Sequence, residues 1–227
     1  RGHWVTLDDV SPALQSAIVS IEDQRFYEHG GVDWRALAAA AGQMLRGGGR
    51  RGASTITMQL AGLVETGSAH STGRRGLGAK WAQMRAAWRI EDRWSKAQIL
   101  EAYLNRVSVR GELQGIAAAS WSIYGKAPAG LTDAESWLLA SLIAAPNAAP
   151  GRAATRACAI AERRAAEVGC DELEALARNA LTRPQSPLPA PSLAPQLARQ
   201  LLREPGQRVV TTLSAPIQRR ARDVLAR

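Results

Sequence analysis

Three short stretches of the 227-residue chain hold side chains able to do acid–base and anion chemistry. The first, IEDQRFYEHGGVD at 21–33, sets Glu22 and Asp23 at the end of an apolar run, followed by Phe26, His29 and two glycines. A carboxylate at a helix edge beside a glycine turn can serve as general base or acid. The alternative is a solvated acid pair with a helix-end histidine, the usual setting of such acids. The second, GASTITMQL at 52–60, carries the hydroxyls of Ser54, Thr55 and Thr57 and the amide of Gln59. These can line a phosphate site where backbone N–H groups open a helix, or be an ordinary helix start or short strand. In the third, Lys80 and Gln83 share one helical face with Arg89 beyond; a solvated face is the alternative.

Helices must position these groups. Ser11 as N-cap and Pro12 at the first helical position open a helix whose Leu14, Ala17, Ile18 and Ile21 follow the i, i+3, i+4, i+7 pattern. Glu22 lies one turn beyond Ile18 and so borders the buried face. DWRALAAAAGQML predicts a second helix that ends in the basic glycine loop RGGGRRG. KWAQMRAAWRIEDRW predicts another, with Trp81, Met84 and Trp88 as one apolar stripe. Capping boxes at Ser95/Gln98 and Thr132/Glu135 open two more, and further helices are expected over 153–168 and 172–181. The proline-rich PQSPLPAPSLAP reads as an extended connector, RVVTTLSAP as a short strand and IQRRARDVLAR as a closing helix.

Composition agrees with a mainly α-helical fold: Ala, Arg and Leu dominate and there is a single Phe. The net charge of +9 suits an anionic membrane, a phosphorylated substrate or nucleic acid. Nucleic acid is disfavoured, because the basic residues are scattered over helices and not interleaved with aromatics. The longest apolar runs are far shorter than the roughly 20 residues that span a bilayer. The opening RGHWVTLDDV has no signal-peptide pattern, so an upstream anchor is expected outside the chain. Cys158 and Cys170 lack metal-ligand spacing and read as buried thiols or one disulfide.

Taken together and in order, these segments resemble the glycosyltransferase family 51 domain, the peptidoglycan polymerase module of class A penicillin-binding proteins. Its pattern E-D-x-x-F-x-x-H-x-G-x-D is met by Glu22, Asp23, Phe26, His29, Gly31 and Asp33, and G-x-S-T-x-T-x-Q by Gly52, Ser54, Thr55, Thr57 and Gln59. S-K-x-x-I-L-E-x-Y-L-N is met by Ser95, Lys96, Ile99, Leu100, Glu101, Tyr103, Leu104 and Asn105, and GELQGIAAASWSIYGKAP resembles the G-I-x-x-A-A-x-x-Y-x-G-K stretch. The third motif departs: AKWAQ stands where the family has R-K-x-x-E, so Ala79 and Gln83 replace Arg and a second carboxylate, and Gly62 stands where a basic residue is frequent. Gln at this position and the LQG turn at 113–115 are similar to the penicillin-binding protein 1C subgroup.

The resemblance implies a lysozyme-like helical transglycosylase domain over 1–183, then a connector over 184–227 leading to a transpeptidase domain that is not in this chain. It implies polymerisation of lipid II onto a nascent lipid-linked glycan chain, with inversion and loss of undecaprenyl pyrophosphate. Glu22 would be the base; Asp23, Ser54, Thr55, Thr57, Gln59 and Lys80, with Arg89 or the loop pair Arg74 and Arg75, would hold the pyrophosphate. Phe26, His29, Glu101 and Asn105 would support the site, and Gln83→Glu would keep or raise activity. A divalent cation such as Mg²⁺ can add charge, no organic cofactor is implied, and no residue is a certain metal ligand. The expected setting is the periplasmic face of the bacterial inner membrane, with Trp34 near the anionic lipid surface and other cell-wall synthesis proteins as partners. Two alternatives stand beside this reading: a lipid II-binding scaffold without catalysis, motivated by Gln83, Ala79 and Gly62, and a lytic transglycosylase.

Overall fold

In a computed structural model of the chain, residues 4–47, 52–66, 77–110, 113–182 and 209–214 are described, with residues 197, 200, 201, 217, 218 and 221. The chain divides into two units, Arg1–Leu188 and Pro189–Arg227. Helices in the first are α1 (Pro12–Glu22), α2 (Trp34–Leu45), α3 (Ile56–Thr66), α4 (Leu77–Glu91), α5 (Lys96–Arg106), α6 (Ile116–Tyr124), α7 (Asp133–Ala144), α8 (Pro150–Arg163) and α9 (Cys170–Leu181). The mainly helical expectation holds.

Local sequence signals set many of the ends. The Ser11 hydroxyl accepts from Leu14 N–H and Pro12 opens α1. Asp33 caps α2 through Ala36 N–H, and complete capping boxes open α5 and α7. Each such cap satisfies N–H groups that the helix itself leaves unpaired, worth about 1 kcal/mol.

α7 is the central element: every residue from Ala134 to Ile143 is buried, including Leu138, Leu139 and Leu142 at 0% exposure. It packs on α1, α8 and α9, while α3 packs on α4 and α5. The main core therefore anchors α1 from behind and leaves its C-terminal end, with Glu22, at the edge. A smaller apolar cluster of Val32, Met58, Met84 and Ala87 joins α3 to α4.

Two glycines are required where backbones meet. Gly115 has φ +87°, and a Cβ there would lie 2.9 Å from Asn105 O, so the LQG turn brings α6 onto the end of α5. Gly31 has φ +89° and lies against the backbone of Ala87, which holds the 23–33 segment on α4.

Cys158 and Cys170 are joined by a disulfide, with Cα atoms 5.1 Å apart, linking α8 to the start of α9. Residues 209–214 form no strand, contrary to the expectation for RVVTTLSAP; extended backbone becomes a strand only beside a partner. Gln218 N–H donates to Ser214 O and residues 217, 218 and 221 are helical; most of the expected closing helix lies outside the described residues. The same is true of PQSPLPAPSLAP, of 48–51 in the basic loop, and of Arg74 and Arg75.

Candidate active site

Glu22 ends α1 and lines a cavity of about 300 Å³ together with Arg25, Arg35, Ser54 and Arg164. Its Oε2 accepts from Gln59 Nε2 at 2.9 Å. The other end of that amide is fixed by Tyr103, whose hydroxyl donates to Gln59 Oε1 at 2.9 Å. Tyr103 is fully buried; burial first, then the charges of Glu22 and Asp23, raise its pKa well above the usual 10.0. It stays a neutral donor throughout the physiological range. Tyr103 is therefore a core residue that also fixes the orientation of the amide facing Glu22.

Asp23 follows Glu22 but faces inward, 6% exposed. Its Oδ2 accepts Ile56 N–H at 2.9 Å, capping the start of α3, and both oxygens meet His29 Nε2 at 2.9 and 3.0 Å. A carboxylate only accepts, so Nε2 carries the histidine proton. Thr55 is the side-chain cap of the same helix: its hydroxyl accepts Met58 N–H at 3.1 Å and donates to Gly31 O at 2.6 Å. Thr57 is fully buried and donates to Glu91 Oε1 at 2.6 Å. The anion-binding expectation for Asp23, Thr55, Thr57 and Gln59 is thus replaced: their polar atoms are engaged in holding α3 against the 22–33 segment.

What is left of that set is Ser54 and Lys80. Lys80 Nζ donates to Ser54 Oγ at 2.6 Å and to Gln83 Oε1 at 3.1 Å. Gln83 Nε2 donates to Met58 O at 2.6 Å, and the residue is 6% exposed. An ammonium only donates and a carbonyl only accepts, so the orientation of this amide is forced. A glutamate at 83 could not donate to Met58 O and would set a negative oxygen against a carbonyl. These contacts argue against the expectation that Gln83→Glu keeps or raises activity.

Arg89 does not join Lys80. It follows nine positions later on α4, about two and a half turns on and so on the opposite face, and it is exposed. Between the two faces lie Trp81 and Trp88, whose rings meet edge-to-face at 5.8 Å, with Trp34 of α2 6.1 Å from Trp88. Trp34 and Trp81 are half exposed.

The remaining calls divide. Phe26 is fully buried under the ammonium of Lys96, 4.6 Å from its ring centroid. Lys96 also donates to His29 O at 2.6 Å and Glu91 Oε1 at 2.7 Å, tying α4, α5 and the 23–33 segment together. Glu101 and Asn105 instead hold the N-terminal segment: Glu101 accepts from Trp4 Nε1 and Leu7 N–H, and Asn105 exchanges hydrogen bonds with the Val5 backbone. Asp33 pairs with Arg25. Burial raises its pKa, but the Ala36 N–H bond, Arg25 and the nearby His29 outweigh it, leaving the carboxyl below its ordinary 3.8.

The donor set does not fit a protein-held Mg²⁺. Position 83 offers an amide already engaged, and Asp23 is turned inward onto Ile56 N–H and His29. The one group of three potential ligands among the described residues is Cys158, Glu162 and Cys170, where the thiols are oxidised together.

A carboxylate at a cavity edge, oriented by an amide and sharing that cavity with a serine that holds an ammonium, suits a glycosyl-transfer domain on a helical frame. The chain belongs to the transglycosylase family, whose pattern matches residues 1–167. It is 37% identical over 98% of its length to penicillin-binding protein 1C of Escherichia coli (strain K12), covering 30% of that protein. It is 39% identical over 65% of its length to penicillin-binding protein 2D of Bacillus subtilis (strain 168), covering 21% of it. A biosynthetic peptidoglycan transglycosylase of Mannheimia succiniciproducens is 36% identical over 63% of the chain, which covers 57% of that relative. The chain therefore spans under a third of the first two relatives and a little over half of the third.

Proposed function

We propose that this domain is a peptidoglycan glycosyltransferase that polymerises lipid II, with Glu22 as its general base. The observation that carries the reading is that Glu22, oriented by Gln59, shares a cavity with Ser54, which Lys80 holds, in a domain of the transglycosylase family. The acceptor's GlcNAc 4-hydroxyl attacks C1 of the donor MurNAc while Glu22 takes the hydroxyl proton. The C1–O bond to undecaprenyl pyrophosphate breaks on the opposite face, with inversion. The departing pyrophosphate is already a stable anion, so cations and donors suffice for it. Lys80 and Ser54 serve that end, and a divalent cation would be carried by the substrate's phosphates, not by a cage of protein ligands.

The surroundings support a membrane-bound substrate. Trp34, Trp81 and Trp88 form an exposed aromatic patch with Arg85 and Arg89 beside it on α4, suited to a lipid headgroup region carrying negative charge. No helix among the described residues is long and apolar enough to cross a membrane. The disulfide fits an oxidising compartment such as the periplasm.

Gln83 supports a second reading, a lipid II-binding scaffold, since the family's second carboxylate position is neutral here. Incubating the chain with lipid II, and separately with purified glycan strands, separates the readings. Polymer from lipid II and no fragments from glycan is the expected result. Lipid II binding without polymer would favour the scaffold, and release of muropeptides from strands would make the domain lytic.

A further inference from the structure

The disulfide takes no part in the proposed reaction, but it closes a loop that touches the helix carrying Glu22. Cys158 in α8 and Cys170, the first residue of α9, are 12 positions apart and bracket the end of α8 and the turn after it. Within that loop Ala165 N–H bonds Glu162 O at 3.1 Å and Ala166 N–H bonds Ala161 O at 3.0 Å, with Ala165 at φ +51°. A non-glycine residue in this left-handed region persists only where its surroundings hold it. Just before it, Arg164 Nη2 donates to Ser20 O at 3.0 Å, in the last turn of α1 two residues before Glu22. The covalent loop therefore rests on the helix end that carries the base.

The surroundings of the sulfurs suit exchange between two states. Both cysteines are partly exposed, so a small thiol can reach them. The Glu162 carboxylate lies 3.5 Å from Cys170 Sγ, an acceptor in place for the S–H that reduction creates. Breaking the bond leaves the helix packing intact, because Ala153, Ala154, Ala157 and Ala161 of α8 and Leu173 and Ala177 of α9 are buried in the main core. What the disulfide adds is local: it restrains residues 159–169.

We propose that Cys158–Cys170 is a thiol–disulfide exchange site, whose oxidised form clamps the 159–169 loop so that Arg164 holds the last turn of α1, and with it Glu22, in place. An external dithiol reduces it. One thiolate attacks a sulfur of the pair, the S–S bond breaks, and the second thiol resolves the mixed disulfide. The dithiol closes into its own disulfide as two electrons and two protons pass to the cysteines. Arg164 acts here as a positioning residue. The proposal rests on the glycosyltransferase reading only for its kinetic arm.

Thiol titration of the chain before and after dithiothreitol, without denaturant, is followed by hydrogen exchange on both forms. The expected result is no free thiol before and both cysteines free after, with the helical circular dichroism unchanged. Amides of 159–169 and of the last turn of α1 should then exchange about tenfold faster, those of α5 should not change, and reoxidation should restore the first pattern. Cys158→Ser combined with Cys170→Ser should reproduce the reduced pattern without reductant. In Arg164→Met the last turn of α1 should exchange fast in both redox states.

Free thiols in the air-oxidised protein, reduction only with loss of helicity, or exchange in α1 that ignores reduction would overturn the clamp. A redox response of α1 that survives Arg164→Met would overturn its route. In the kinetic arm, reduction should lower kcat for lipid II several-fold at similar KM, and an unchanged kcat would remove Glu22 from the clamp's reach. Absence of polymer in both states sinks the enzyme reading, and the exchange data still decide the clamp.

Discussion

Gln59 and Gln83 lie on neighbouring helices, and each uses both ends of its amide, yet they serve opposite charges. Gln59 turns its N–H toward Glu22 because Tyr103 supplies a proton to its oxygen. Gln83 turns its oxygen toward Lys80 because Met58 O takes its N–H. One region therefore stabilises a carboxylate, and the other holds an ammonium with no acid of its own at position 83. The comparison teaches why a neutral residue can stand at the third motif: here the amide organises a cation and does not compete with the base.

Changes on either side should break this division unequally. On the proposed mechanism, Lys80→Met removes the fixed charge assigned to the leaving group and should lower turnover about 100-fold, the scale of a lost electrostatic stabiliser. Steady-state polymerisation would check it, and retention of wild-type turnover would remove Lys80 from the site. Gln59→Leu frees the Glu22 carboxylate from its amide and leaves the buried Tyr103 hydroxyl unsatisfied. It should cost about 1–3 kcal/mol of stability and depress turnover more than substrate affinity, read by thermal melts beside kcat and KM.

Gln83→Glu sharpens the comparison further. It should reduce activity several-fold and destabilise by about 1 kcal/mol as the Met58 contact is lost; a more active variant would show that the second carboxylate matters more than the amide. The smallest effect lies at Asp33. Its folded pKa is depressed, so its stabilising contribution is fully present above the unfolded value and lost as pH falls through the folded one. Melting wild type and Asp33→Asn from neutral pH to below the carboxylate range should show the two curves converging at the acid end.

Much of the frame was legible because its signals are local. Ser11, Ser95 and Thr132 announce their helices through capping chemistry, and Glu22 is placed by the periodicity of α1. α6 is harder to read: IAAASWSIY is buried along most of its length and presents no polar face to reveal a helical period. The site divides in the same way. Motif order picks out Glu22, Lys80 and Ser54, but it cannot separate hydroxyls that face a cavity from those that cap a helix, as Thr55 does.

Long-range contacts escape for a different reason. Glu91 receives the Thr57 hydroxyl, and Arg164 reaches Ser20 across 144 residues. Neither pairing leaves a trace in spacing. Arg89 is different, for a reason the sequence does contain: counting turns along α4 puts it half a turn away from Lys80.

Glu22→Gln tests the central claim most directly, with lipid II polymerisation and lipid II binding measured on the same preparation. The amide keeps the side chain's shape but cannot take a proton, so turnover should fall by about 10²–10⁴-fold while binding stays within a few-fold of wild type. Polymerisation by Glu22→Gln at a rate close to wild type would contradict the assignment of Glu22 as the base.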